Sequence, residues 1–438
     1  MRKTVEEEPH FSFWEKALHQ AASSGTIRIP MSWFTACRSA LTVRRLWRIG
    51  GWLCFGIVTL YVAAFATRVY VRKYYIFLPA YVRWSLTPVD QQSSGPTHVF
   101  FVFVDHFEPD HDDARANAWA KRYVQLASHH RDADGRPPQH TWFYPGEQQD
   151  EPILDTLHAL TTAGLGEVEL HLHHGYDNDA SLTLKLRNAI AYFQNHGFLR
   201  TVDGATHFAF IHGNFGLDNS RGAAMCGVND EIAILHQLGC FADFSFPSVY
   251  LNSQPSSVNG IYAIKDDPGP KSYDRVLPLA AIKRGEADLM MFEGPLLFAP
   301  SLKLRHLFLD LDDGNIHWTI PASPTRVDRW IRASVHVPGR PDWVFVKVWT
   351  HGISSAGEED AAIGPSFDGA LSYLEQHYND GTHYVLHYVT AREAYNVAMA
   401  AVDGKRGDPT QYYDRTIPRY VACTTPPGEL SVRDTVGK

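Results

Sequence analysis

Cysteine is scarce and unpaired. The chain has five in 438 residues, Cys37, Cys54, Cys226, Cys240 and Cys423, widely spaced and with no Cys-x-x-Cys among them. That excludes a zinc knuckle and a disulfide scaffold. Cys226 and Cys240 could bridge in an oxidising compartment, but buried free thiols are the default expectation. A basic excess is also lacking: 40 Lys and Arg stand against 48 Asp and Glu, a formal charge of -8. This argues against a nucleic-acid partner held on a broad basic face. No tandem repeat is visible. At 45% hydrophobic and 20% charged residues the balance is that of a globular protein rather than a disordered one.

One long uncharged run stands out at residues 49–67, with aromatics at Trp47, Trp52, Tyr70, Tyr74 and Tyr75 around its ends. Nineteen residues of helix reach about 28 Å, near the hydrocarbon thickness of a bilayer. The run lies too far from Met1 for an ordinary cleaved leader. It reads as a single-pass transmembrane anchor. Arg38, Arg44, Arg45 and Arg48 flank one side, and Arg68, Arg72, Lys73 and Arg83 the other. Charge therefore leaves the orientation undecided; a periplasmic or extracellular catalytic domain is the expectation. The organisation is then an arm at 1–48 (cytoplasmic or disordered), the anchor at 49–67, a linker at 68–96, a barrel at 97–400 and an extension at 401–438.

After the linker, strand-like and helix-like segments alternate. Residues 99–104 form a continuous apolar run, suited to a strand buried on both faces. Further strands are expected at 140–145, 166–174, 208–211, 240–244, 288–292, 343–348 and from Tyr384. Helical sequence lies at 117–129, 151–163, 181–196 and 230–238, several stretches closed by glycine. Such βα repetition predicts an α/β fold, a parallel (β/α) barrel, seven-stranded and distorted. Longer loops are expected at 247–288 and 300–327.

The most informative stretch is residues 166–177. Glu169, His171 and His173 alternate with Val168, Leu170 and Leu172, the two-residue period of a strand. His174, Gly175, Asp177 and Asp179 follow. Imidazole is the commonest ligand for zinc-like ions, so this segment resembles half of a metal site. Catalytic groups of parallel barrels gather at the carboxyl ends of strands. Other strands here also end in reactive residues: Asp105, His106 and Glu108; Glu147; His212 and Asn214; Asp243; Thr350 and His351. A divalent metal, most simply zinc, suits hydrolysis of an amide or ester at such a place. Asp105 and His351 are the candidates for accepting the water proton and protonating the departing group.

The order of these motifs resembles the polysaccharide deacetylase family, within the glycoside hydrolase/deacetylase superfamily, over residues 97–396. Val104-Asp105-His106 occupies the place of that family's Asp-Asp motif, whose first member is the base and whose second is a metal ligand. Residues 141–144 look like its second strand. Residues 166–171 resemble the strand carrying the metal histidines, and residues 346–351 the late motif that supplies the acid. The resemblance implies Asp105 and His351 as catalytic residues, and His106 and His171 as metal ligands. The family's second histidine falls four residues after the first, where this chain has Gly175. His174 is taken in its stead, with His173 as the alternative that strand alternation favours. His106 replaces an aspartate, and residues 211–215 stand where an Arg/Pro-rich motif is usual, so the chain reads as a divergent branch. His212, Asn214 and Asp243 are expected to bind substrate.

The expected activity is removal of acetyl groups from a cell-envelope or exported polysaccharide, with an export machinery as possible company. Two rivals stand beside it. A glycosidase of the same superfamily would need a carboxylate pair, such as Asp105 or Glu108 with Asp243. A non-catalytic glycan-binding component of polysaccharide export would need neither metal nor carboxylates.

Overall fold

The computed structural model describes residues 31–87, 95–303, 306–307 and 309–420, with side chains from residue 45 onward. The arm before residue 31, part of the linker (88–94), and the extension beyond residue 420 lie outside the described residues. Helix α1 (Met31–Val71) is longer than the expected anchor at both ends. It contains no proline, and nothing in its sequence stops it until the left-handed Lys73. Its portion Arg45–Val71 is long and apolar enough to cross a membrane. Trp52, Phe55 and Leu60 are exposed along it, and the hydroxyls of Thr59 and Thr67 turn back to the carbonyls of Phe55 and Ala63. Satisfying polar groups within the helix is what an apolar surround demands.

The body of the protein begins earlier than the sequence suggests. Helix α2 (Leu78–Leu86) falls inside the expected linker. Tyr74 and Phe77 just before it are buried with Val249, Val258 and Leu296. Tyr81 sits edge-on to Phe298, ring centroids 4.9 Å apart. Tyr74, expected to face a membrane interface, instead has apolar partners in the globular body.

The core is an α/β arrangement around a mostly parallel sheet. In chain order the elements are β1 (Thr97–His106), α3 (Asp113–Ser128), β2 (His140–Pro145), α4 (Glu151–Thr162), β3 (Gly166–Leu172), α5 (Asp179–Asn195), β4 (Phe208–His212), α6 (Glu231–Gln237) and β5 (Cys240–Asp243). There follow β6 (Gly260–Ile264), α7 (Ala280–Lys283), β7 (Leu289–Glu293), β8 (Leu297–Pro300), β9 (Leu309–Asp312), α8 (Pro324–Arg332), β10 (Trp343–Thr350), α9 (Ala356–Ile363), α10 (Pro365–His377), β11 (Tyr384–Tyr388) and α11 (Ala391–Val402). The large sheet runs β10-β1-β2-β3-β4-β5-β7-β6, with β11 also on β1. One side of β1 pairs with β10 along its length, while the other takes β11 at the start and β2 at the end.

The expected loops at 247–288 and 300–327 hold structure. β6 lies antiparallel on β7, and β8 and β9 form a separate hairpin. Each is four or five residues long, too short to show a period in sequence, and is fixed by its partner strand.

Alternation along β1 sorts its side chains onto two faces. Val99, Phe101 and Phe103 join Trp119, Tyr123, Leu157 and Leu186 under the helices. Phe100, Val102 and Val104 join Phe143, Ile211, Phe292 and Phe345 on the other, inner face. Each fully buried Phe contributes roughly 1.5–3 kcal/mol, which explains why β1 lies inside the sheet. Helix α11 is buried nearly all round, as its Ala-rich sequence permits. Beside it Arg392 makes a 3.0 Å ion pair with Glu169 of β3, its guanidinium 4.3 Å above the ring of Tyr420. Tyr413, Ile417 and Tyr420 are buried too, so the extension packs on the body at least to residue 420.

Candidate metal centre

The carboxyl end of β1 separates its two polar residues by the same alternation. Asp105 follows Phe103 toward the helices, and His106 follows Val104 inward. Asp105 is fully buried; it faces His140 Nε2 at 3.1 Å and accepts the Gly352 amide at 2.7 Å. The His140 ring is enclosed by Phe103, Trp119, Tyr123 and Trp142, and burial holds its pKa down against the pull of Asp105. A Cβ at Gly352 would lie 2.4 Å from Asp105 Oδ2, so this close contact needs glycine. Asp105 thus ties β1 to the ends of β2 and β10. It lies on the opposite face of β1 from His106, not beside it.

β3 sends Val168, Leu170 and Leu172 into the core under the helices. His171 projects from its opposite face, and His173 continues the same period beyond the strand end. Both reach Glu108: His171 Nε2 is 2.9 Å and His173 Nε2 3.3 Å from Oε1. His173 Nδ1 is held by Glu147 Oε1 at 2.6 Å, and its backbone N–H donates to the same oxygen. The His173 ring lies over Gly213, where a Cβ would approach to 2.4 Å.

Glu108 belongs to a second triad with His106 and His351. The His106 ring stacks on His351 at 4.4 Å and meets His171 edge-on at 4.9 Å. Phe215 and Trp349 wall this side, 5.1 and 5.7 Å from His106. Burial alone would raise Glu108, but its hydrogen bonds to His171 and His173 outweigh it and hold the carboxylate well below its usual range. Burial likewise opposes charge on His173, yet Glu108 and Glu147 push that ring up to about 9. Burial and neighbouring imidazoles keep His106 low. Burial also lowers His351, against the attraction of Glu108 and Asp105.

His174 is not part of this centre. Its Nε2 lies 3.0 Å from Glu231 Oε1, in a wholly buried group with His212 and Cys226. The expected ligand set of His106, His171 and His174 is therefore divided. His106 and His171 are neighbours that share Glu108, and His173, rather than His174, reaches the same carboxylate. The residues expected to bind substrate are placed as follows. His212 is fully buried, Asn214 donates to the His174 carbonyl at 2.8 Å, and Asp243 is fully buried with Ser245 as its partner. Burial pushes Asp243 up to about 7. Glu108, Glu147, Cys226 and Glu231 were not among the expected ligands. Glu108 was findable, standing two residues after His106 with the same parity.

Fold and clusters together define an α/β protein with a mostly parallel sheet, His/Cys/Glu groups able to hold a metal, and one N-terminal helix long and apolar enough to span a membrane. No protein-family model matches the chain, and no curated protein sequence does either.

Proposed function

We propose that this protein is a membrane-anchored, metal-dependent hydrolase that removes acetyl groups from a cell-envelope or exported polysaccharide. The observation that carries the reading is the convergence of His171 and His173 on Glu108, at the carboxyl end of a parallel strand, with His106 and His351 stacked alongside. Two imidazoles and a carboxylate are a donor set suited to zinc or a similar divalent ion. The Glu147 contact to His173 Nδ1 is the outer carboxylate that metal-binding histidines usually have. We assign Glu108, His171 and His173 to hold the ion. When bound, it supplies Lewis acidity toward the acyl carbonyl.

The residues of the chain handle the protons. Asp105 is turned away, so the proton of the attacking water goes to His351, whose side chain is partly open and beside Glu108. A neutral imidazole accepts that proton and returns it to the departing nitrogen or oxygen, ending the cycle unchanged. His106 stacks on His351 and holds its ring in place. Half-buried Phe215 beside His106 offers an apolar face of the kind sugar rings stack on. The glycosidase alternative finds less support: Asp105 faces the helices and Asp243 is sealed in the core, so neither completes a carboxylate pair with Glu108. A periplasmic or extracellular active domain and an association with export machinery follow from the substrate proposed.

The test is acetate release from acetylated glycans by the full chain in detergent. Release that stops with chelator and returns with zinc is the expected result. A zinc-loaded protein that frees no acetate from any N- or O-acetylated glycan, or activity indifferent to chelator, overturns the reading.

A further inference from the structure

We propose a second metal site, closed and structural, formed by His174, His212, Cys226 and Glu231, binding a zinc-like ion with one thiolate ligand. It rests on its own donors and does not depend on the reaction proposed above. Four stretches of chain bring these residues together: the loop after β3, the end of β4, the segment before α6, and the first turn of α6. All four are buried, and their donor atoms lie within 4.8 Å of one another.

The donors are close enough to share one ion. Glu231 Oε1 is 3.0 Å from His174 Nε2 and 3.7 Å from His212 Nε2, and its other oxygen, Oε2, is 3.3 Å from Cys226 Sγ. Tetrahedral bonds of about 2.0–2.3 Å place neighbouring donors roughly 3.3–3.8 Å apart. The His212 contact is too long for a hydrogen bond, and His212 Nε2 is a buried nitrogen without a hydrogen-bond partner. The outer contacts agree for His174, whose Nδ1 faces Asp177 Oδ2 at 3.2 Å. Asp177 is in turn fixed by Ser181 and Lys185, each at 2.7 Å. An oriented carboxylate behind an imidazole is the usual support of a metal ligand.

One observation points the other way. The amides of Asn214 and Gly216 donate to His212 Nδ1 at 3.2 and 3.3 Å, which puts the proton of the neutral ring on Nε2. Glu231 also accepts the Asp218 amide at 2.7 Å, so a metal-free hydrogen-bonded network is the competing state. Binding an ion requires three proton movements. Cys226 Sγ and His174 Nε2 each release a proton to solvent, the latter one shared with Glu231, and His212 shifts its proton from Nε2 to Nδ1. Two long amide contacts are then exchanged for one coordinate bond.

The experiment uses the full chain in detergent, loaded with zinc or cobalt. Metal analysis should find two ions per chain, one missing from Cys226→Ser and the other missing from His173→Ala. The cobalt protein should show a sulfur-to-metal charge-transfer band that survives in His173→Ala and vanishes in Cys226→Ser. X-ray absorption of the zinc-loaded wild type should contain a sulfur neighbour at about 2.3 Å. Absence of that neighbour overturns the site even if Cys226→Ser fails to fold. Absence of a sulfur neighbour, with no charge-transfer band, would overturn the site and leave the hydrogen-bonded network. A zinc-sulfur site without acetate release would leave it standing while the hydrolase reading fell.

Discussion

The contact between Glu147 and His173 makes a quantitative demand on the proposed centre. If His173 Nε2 holds an ion, Glu147 orients the ring through Nδ1 at 2.6 Å. Charge-assisted hydrogen bonds are worth about 1.5–3 kcal/mol, and Glu147, whose side chain is 36% exposed, belongs at or below the lower end. Removing it with Glu147→Ala should therefore cost about 1.4 kcal/mol of binding, close to tenfold in metal affinity. Losses of about 10–100-fold are usual for such outer contacts. Glu147→Gln keeps an acceptor but not the charge, so about half the energy and roughly a threefold loss are expected. The assay is a competition titration against a chromophoric chelator at fixed pH. Run also in a Cys226→Ser background, it separates this ion from the one proposed for the buried site. An unchanged affinity in folded Glu147→Ala would refute the assignment of His173 as a ligand. Equal losses for Gln and Ala would refute the electrostatic reasoning and leave a steric role.

Three further outcomes are expected. His173→Ala should empty the proposed catalytic site while His106→Ala leaves its ion in place, by metal analysis; the reverse result would move the ion to the His106/Glu108/His351 triad. Arg392→Ala leaves Glu169 buried without its cation, which should cost about 3–5 kcal/mol in unfolding free energy, whereas pairing Arg392→Met with Glu169→Gln should recover much of it; a loss below about 1 kcal/mol would contradict the burial argument. His130 is held between Glu375 and Asp368, whose hydrogen bonds outweigh the effect of burial and raise its pKa. A raised histidine contributes stability that is complete below its unfolded value of about 6.5 and is lost as pH climbs through its folded value. The Tm gap between wild type and His130→Asn should therefore be wider at pH 6 than at pH 9, and a gap that grows with pH would reverse the sign.

Much of the site was legible because strand alternation is a local property. The period through Glu169, His171 and His173 placed His171 and His173 on one face, and the structure keeps them there with Glu108. The spacing borrowed from a resembling family pulled the other way, toward His174, and the structure sides with the period. Asp105 shows the same lesson. Its position one residue before the inward His106 sends it to the opposite face, which a motif comparison does not register. What was not legible depends on distant parts of the chain. Cys226 and Glu231 lie 52 and 57 positions after His174, and nothing in their immediate sequence suggests a common centre. The segment at 74–86 misled for a different reason. Its aromatic density fits a membrane interface and a packed core equally well, and only Phe298, Val249 and Leu296 show that residues there are core.

The two donor groups differ in what surrounds them, and the difference bears on the roles proposed for each. Around Glu108, His173 and Glu147 are each more than a third exposed in their side chains, and His351 is only partly covered. An ion there keeps a side open to a ligand, as catalytic sites require. Around Glu231 the side chains of His174, His212 and Glu231 have no exposure, and Cys226 closes the remaining side. No substrate reaches that place, so an ion bound there serves the fold. The His212 tautomer is a cost: it leaves the amides of Asn214 and Gly216 without their acceptor, about 1–3 kcal/mol for each buried donor. Structural zinc in small domains contributes on the order of 10–16 kcal/mol. An ion in the buried group has to exceed that cost, and metal analysis of wild type against Cys226→Ser measures whether it does. A bound ion also places a rigid support directly behind the loop that carries His173, so loss of the buried ion should loosen the neighbouring centre.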